Sequence, residues 1–190
     1  MTRIVLPPDA RPETLALDAG LDIAPETCEI QPTVSMSVNN MVTPGEGAFS
    51  ASGLEDIAAE PYTYARWLNP TVRSLEMRMA ALEGAEDALA SATGVAAIAA
   101  VFLTFLKSGD HLIVSDVTYA GAAELARSIL PDFGIEVTPV NLSRPEELRA
   151  ALRPNTRLVH CESPCNPLLR LTDLAEVARI AHAAGALVSV

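Results

Sequence analysis

From Asn69 to Val190, short apolar runs alternate with segments of helical period, and this alternation decides the fold class. His111–Ser115, Ile135–Val140, Arg157–Glu162 and Ala186–Val190 have the length and apolar character of strands. Asn69-Pro70 reads as a helix cap followed by proline at the first helical position. Val72, Leu75, Met79 and Leu82 follow at helical spacing, and Gly84 stops the run. Ala120–Leu130 reads as a helix ended by Pro131. Ser143-Arg144-Pro145-Glu146 has capping-box spacing and opens a helix through Leu152. Thr172–Ala184 is a helix closed by Gly185. Strands alternating with helices predict an α/β layer fold with a mostly parallel sheet. Ligands of such sheets gather at the carboxyl ends of the strands. The loops Asp116–Gly121 and Ser163–Arg170 are therefore the places to look. The last strand reads as buried, with no following helix to cover it, so the sequence is expected to be part of something longer.

Residues 1–60 have a different character. Pro7, Pro8, Pro12, Pro25, Pro32 and Pro44 interrupt them, and Pro61 follows at once. They read as an extended arm with a short helix near Glu13–Ala19, too poor in core residues to be a domain of its own. Residues 61–190 form the first part of a large domain.

Apolar residues make up 49% of the chain, enough for a real core and too many for wholesale disorder. A net charge of −11 would repel phosphates over the surface as a whole, which argues against a nucleic-acid binder. It leaves room for a local anion pocket. Twelve of the 13 cationic residues are Arg, and Lys107 is the only lysine. Ala88–Leu106 carries no charge over 19 residues, but seven are Ala, and Ser91, Thr93, Gly94 and Thr104 interrupt the rest. No aromatic belt or basic flank stands at both ends, so it reads as a helix buried in an α/β domain rather than a membrane span. Cys28, Cys161 and Cys165 do not suggest a disulfide framework. His111, His160 and His182 do not cluster with them, and no metal site is expected. The start Met1–Ala10 lacks the pattern of a signal peptide, and a cytoplasmic protein is expected.

Four short segments carry chemistry. Tyr64-Ala65-Arg66 precedes the first cap; Arg66 suits a phosphate through its fork of donors, or is a surface arginine beside a half-buried tyrosine. Ser91–Ala97 opens the uncharged helix, where free N–H groups and small residues suit an anion, or serve ordinary packing. Tyr119 sits on the loop after a strand, able to stack on a flat ring or to cap the sheet edge. In Glu162-Ser163-Pro164-Cys165-Asn166-Pro167, two prolines hold Asn166 in a stiff turn, and Cys165 without a histidine partner reads as inert. The motifs GxxxxGK[ST] and GxGxxG are absent, which weakens a reading as another nucleotide-binding domain.

Tyr-x-Arg-x-x-Asn-Pro-Thr at 64–71, Thr-Gly at 93–94, Thr-Tyr at 118–119 and Glu-Ser-Pro-x-Asn-Pro at 162–167 occur together and in order. In this the chain resembles the pyridoxal-phosphate enzymes of cysteine and methionine metabolism, the trans-sulfuration family. Its members include cystathionine gamma-synthase, cystathionine lyases, methionine gamma-lyase and the O-acetylhomoserine sulfhydrylases. Glu13–Gly20 also resembles the family's opening. The resemblance implies the large domain of an aspartate aminotransferase-like (fold type I) enzyme, with pyridoxal 5'-phosphate as cofactor. Thr93, Gly94 and Val95 would hold the phosphate, the last two through backbone N–H groups. Tyr64 and Arg66 would reach the phosphate of a neighbouring subunit, in a dimer or tetramer with shared active sites. Tyr119 would stack on the pyridine ring and act in proton transfer, and Asn166 would lie near the ring's 3-oxygen. The substrate would be a sulfur-containing or homoserine-derived amino acid.

The departures are equally specific. Where methionine gamma-lyases carry a Cys two residues after the stacking tyrosine, this chain has Gly121. The family's aspartate for the ring nitrogen, its Schiff-base lysine and its C-terminal domain would all follow Val190. Lys107, between a helix end and Gly109, cannot replace that lysine. The expectation is the N-terminal portion of an enzyme subunit, inactive alone. The alternative is a catalytically silent short protein that acts as a binding or assembly partner.

Overall fold

The structure, a computed structural model, describes residues 2–3, 5–23, 33–41 and 62–190. The boundary expected near residue 60 and Cys28 lie outside these residues. The chain divides into two compact units, Met1–Ala90 and Ser91–Val190.

Among the described residues, the first unit has two helices. β1 (Thr2–Arg3) pairs antiparallel with β2 (Asp22–Ile23), and α1 (Pro12–Asp18) lies between them in sequence. α2 (Pro70–Glu83) is set by its ends. Asn69 Oδ1 accepts from the N–H groups of Thr71 (2.9 Å) and Val72 (3.3 Å), and Gly84 closes the helix at φ 64°. The turn after α1 presses on α2 at Gly20. A Cβ there would lie 2.8 Å from the Ser74 carbonyl oxygen, and φ is +71°, so only glycine fits without strain. The buried positions of α2 are Glu76 and Ala80. Its apolar stripe, Val72, Leu75, Met79 and Leu82, is exposed instead.

The second unit is a four-stranded, all-parallel sheet of order β4-β3-β5-β6: β3 (His111–Ser115), β4 (Glu136–Val140), β5 (Thr156–His160) and β6 (Leu187–Ser189). Ile113 pairs with Thr138 on one side and Val159 on the other, and Val159 with Val188. Pro139 is tolerated in β4 because that strand is an edge. Side chains alternate between two faces. Ile113 and Val159 pack with Leu148 of α5 (Pro145–Ala151) and with Val177 and Ile180 of α6 (Leu174–Ala183). Leu112, Val114 and Leu158 pack on the other face with Phe102 of α3 (Gly94–Phe105) and with Leu125 and Leu130. The α/β class and the parallel sheet are as the sequence predicts.

Four local expectations need correction. Ala120–Leu130 is not one regular helix: α4 (Ala120–Glu124) runs into a widened π-type turn, Leu125–Ile129, and a tight 3-10 turn, Leu130–Phe133. Pro131 has no N–H for a continuing helix, and the tight turn places it where none is needed. Ser143 does not cap α5; its hydroxyl donates to Asn141 Oδ1 at 2.7 Å, and Arg144 occupies the cap position. β6 is only partly buried, because it pairs with β5 alone and leaves Leu187 exposed. α3 is not buried all round. Phe102 is fully buried while its neighbour Leu103 is 57% exposed, so the uncharged helix has one core face only. Among the described residues, no helix is long and apolar enough to cross a membrane.

Candidate functional site

The mouth of α3 is shaped by Thr93. This residue is extended (φ −150°, ψ 158°), and its hydroxyl accepts the Ala96 N–H at 3.1 Å while its carbonyl accepts that of Ala97 at 3.1 Å. Gly94 and Val95, at the first turn, lie ahead of these bonds and have no intrahelical acceptor for their N–H groups. A Cβ on Gly94 would meet nothing within 4 Å, so the backbone is open to an approaching group. Free N–H groups at the positive end of the helix dipole form an anion site.

Tyr119 stands beside this mouth. It occupies the cap position of α4 with its side chain half exposed. Gly121 links the two. A Cβ built on it would lie 2.7 Å from Tyr119 Cε1 and 2.9 Å from Val95 Cγ2. Ring and helix mouth thus flank one glycine, in a single neighbourhood at the carboxyl end of β3.

A second loop joins the first through Glu162. Its Oε2 accepts from the Thr118 hydroxyl (2.7 Å) and the Tyr119 N–H (2.7 Å), and its Oε1 from the Asn166 N–H (2.6 Å). Burial works to raise the pKa of this carboxyl. The hydrogen bonds from Tyr119, Thr118 and Asn166, with the neighbouring His160, outweigh it and hold the pKa below the ordinary glutamate value. The peptide bonds Ser163–Pro164 and Asn166–Pro167 are both cis, and they frame an exposed Asn166. Asp116, after β3, pairs with the Arg170 guanidinium, which ties the same two loops further out. Beside them lies a cleft of about 670 Å³, bordered by Asp116, Thr118 and Asn166.

Tyr64 and Arg66 belong to the first unit, where the Arg66 Nε donates to the Tyr64 hydroxyl and the guanidinium lies 4.9 Å from the ring centroid. Lys107 precedes β3 at the amino end of the sheet, away from these loops. Cys165 is buried and free, with its N–H given to the Arg170 carbonyl. Burial pushes the Cys161 thiol up to about 11, so it is a core group. His160 is held by Ser189, 2.9 Å away, and lies edge-on to Phe102. No group of residues able to hold a metal ion occurs among the described residues. The sequence motif contained Glu162 but gave it no role; an acid just past a strand end, facing the loops of the sheet's carboxyl edge, was the available signal.

Two open N–H groups, a clear approach at Gly94 and a half-exposed aromatic ring alongside suit a flat heterocycle that carries a phosphate. Comparison with known proteins agrees. The canavanine gamma-lyase of Rhizobium leguminosarum bv. trifolii is 40% identical over 93% of this chain and 43% of its own length. The O-succinylhomoserine sulfhydrylase of Pseudomonas aeruginosa is 47% identical over 67% of this chain and 32% of its own length. The crystal structure of metB from Corynebacterium glutamicum superposes with a TM-score of 0.82 at 30% identity, covering 95% of this chain and 44% of that one. The chain thus spans less than half the length of these relatives. The family described as Cys/Met metabolism PLP-dependent enzyme matches residues 16–190. With its parallel sheet of fold type I, the chain belongs to the Cys/Met metabolism PLP-dependent enzyme family, whose cofactor is pyridoxal 5'-phosphate.

Proposed function

We propose that this chain supplies the phosphate- and ring-holding part of a trans-sulfuration enzyme, a C–S lyase or a γ-replacement enzyme. Its substrates are cystathionine, homoserine esters or related amino acids. The observation that carries this reading is the meeting of Val95, Tyr119 and Gly121 at the carboxyl end of β3.

When bound, pyridoxal 5'-phosphate supplies an electron sink for a carbanion at an amino acid's α-carbon. The chain's own residues do the positioning. The N–H groups of Gly94 and Val95 bind the phosphate, and Thr93 keeps the first turn of α3 open by satisfying Ala96 and Ala97 itself. The Tyr119 ring covers one face of the bound ring, and its hydroxyl holds or moves a proton. Asn166 orients the ring from the opposite loop. Tyr64 and Arg66 serve a neighbouring copy, so the working form is a homo-oligomer with shared sites. The free Cys161 and Cys165 support a cytoplasmic setting.

Lys107, the one lysine of these 190 residues, stands at the far end of the sheet from the site. That placement favours a chain that binds the cofactor without turnover on its own, and it also suits a silent assembly partner. The reading is tested by calorimetric titration with 4'-deoxypyridoxine 5'-phosphate and with pyridoxal. The phosphate-bearing analogue is expected to bind at least about tenfold more tightly. Equal affinities, or none, would count against it. Assay of a full-length homologue carrying this segment for 2-oxoacid release from cystathionine and O-succinylhomoserine then identifies the substrate class.

A further inference from the structure

Two loops from neighbouring strands converge on a single carboxylate. Glu162 is the second residue beyond β5, and all three of its close partners are donors: the Thr118 hydroxyl, the Tyr119 N–H and the Asn166 N–H. An ionised carboxylate accepts at every lone pair and donates nothing, so it can satisfy all three together. A glutamine amide cannot. Whichever way it turns, its NH2 group faces at least one N–H, and the charge that strengthens the bonds is gone. Asp116 and Arg170 also link these loops, but through side chains farther out. Among the described residues, Glu162 is the one side chain that accepts the backbone N–H groups of both Tyr119 and Asn166.

The geometry points to Glu162 as a positioning residue that fixes the Tyr119 and Asn166 backbones relative to one another, and so the placement of the stacking ring against the group that meets the pyridine edge. This inference rests on the cofactor reading given above. Glu162 acts through the main-chain N–H groups of these two residues. The bonds run from residue 162 to residues 118 and 119, and again to 166, so their loss would free both loops at once. The sheet would be spared, since β5 is held by its own ladder to β3 and β6.

Amide hydrogen exchange of the ligand-free chain, with calorimetric binding of 4'-deoxypyridoxine 5'-phosphate, tests this in wild type, Glu162→Gln and Glu162→Asp. In Glu162→Gln, exchange at Tyr119 and Asn166 should rise more than about tenfold, while Leu158 and Val159 in β5 stay within about twofold. The analogue's affinity should fall at least about tenfold. Glu162→Asp, shorter by one methylene but still charged, should recover part of both effects. Unchanged exchange at Tyr119 and Asn166 would overturn the proposal. So would an increase spread evenly through β5, or an affinity that stays at the wild-type value while those two amides loosen. A wild-type chain that does not bind the analogue would instead sink the cofactor reading, and the positioning role with it.

Discussion

The ring of Tyr119 lies across Gly121, so that a β-carbon on that glycine would stand 2.7 Å from Cε1. The same β-carbon would stand 2.9 Å from Val95 Cγ2, on the first turn of α3. Both distances are shorter than packed side chains allow, and Tyr119, half exposed, is the group free to move. Gly121→Ala should therefore turn the ring away from the helix mouth. Overpacking relieved by an exposed ring should cost about 1 kcal/mol or less of stability. The effect on binding should be larger, with affinity for 4'-deoxypyridoxine 5'-phosphate down at least about tenfold. Calorimetry beside a urea melt separates the two quantities, and unchanged affinity would show that the ring is not part of the site.

Thr93 ends the extended approach to α3 and caps it through one hydroxyl bond to Ala96, 3.1 Å long. Thr93→Ala should lower stability by about 1 kcal/mol, while Thr93→Ser, which keeps the acceptor, should lose about half of that or less. Urea midpoints of the two variants check the difference. Equal losses would mean that the threonine methyl, not its oxygen, matters here.

The sheet was legible because its signals are local. Asn69, Pro70 and Gly84 mark the ends of α2 by the chemistry of caps, and the strand runs at 111–115 and 156–160 are apolar enough to stand out. Periodicity says that a face is apolar, not what it meets. Thus Val72, Leu75, Met79 and Leu82 have helical spacing yet are exposed, and the uncharged α3 shows Leu103 to solvent. The Ala120–Leu130 run has the pattern of one helix ended by Pro131, but Pro131 permits a tight turn as readily as a stop, and Leu130–Phe133 takes that turn. Within the site, Thr93, Gly94, Val95 and Tyr119 were legible as segments. Their meeting over Gly121 was not, since topology creates it. Glu162's part was invisible for the same reason: its bond to Tyr119 spans 43 residues.

The one-sided burial of α3 makes a paired prediction from adjacent residues. Phe102 is fully enclosed and touches the core of the sheet, whereas Leu103 is 57% exposed. Phe102→Ala should cost about 3–5 kcal/mol through lost burial and the cavity left behind. Leu103→Ala should stay within about 0.5 kcal/mol, as for an ordinary surface change. Chemical denaturation of both variants checks this. Comparable losses would mean that α3 is buried on both faces.

Stability should also depend on pH through the buried histidines. Burial is the main cause that pushes His160 below the ordinary histidine value, although the charge of Glu162 opposes it; His111 shifts the same way, chiefly through burial and then Arg153. The folded state therefore resists protons that the unfolded chain accepts near about pH 6.5. In that range the unfolded state binds more protons, so stability rises with pH. It is complete above the unfolded value and lost as pH falls toward the lowered folded one. The urea midpoint should drop between about pH 7.5 and about pH 5.5, and His160→Gln should make that drop smaller. An identical drop in the variant would mean that His160 does not carry the dependence.

Lys107 gives the sharpest test of which parts of the chemistry these residues hold. It follows α3 and precedes β3, so it stands at the amino end of the sheet, while Gly94, Tyr119 and Asn166 gather at the other. Its backbone N–H is given to Asp110 at 3.0 Å, which fixes the turn there. Lys107→Arg should leave affinity for 4'-deoxypyridoxine 5'-phosphate within about twofold of wild type. Borohydride treatment of the chain with pyridoxal 5'-phosphate should trap nothing at the site, and any label on Lys107 should appear at the rate of an exposed lysine in a short peptide. Rapid, saturable labelling of Lys107, competed by the deoxy analogue, would place that amine at the cofactor and overturn the division of the sheet into a binding end and an inert one.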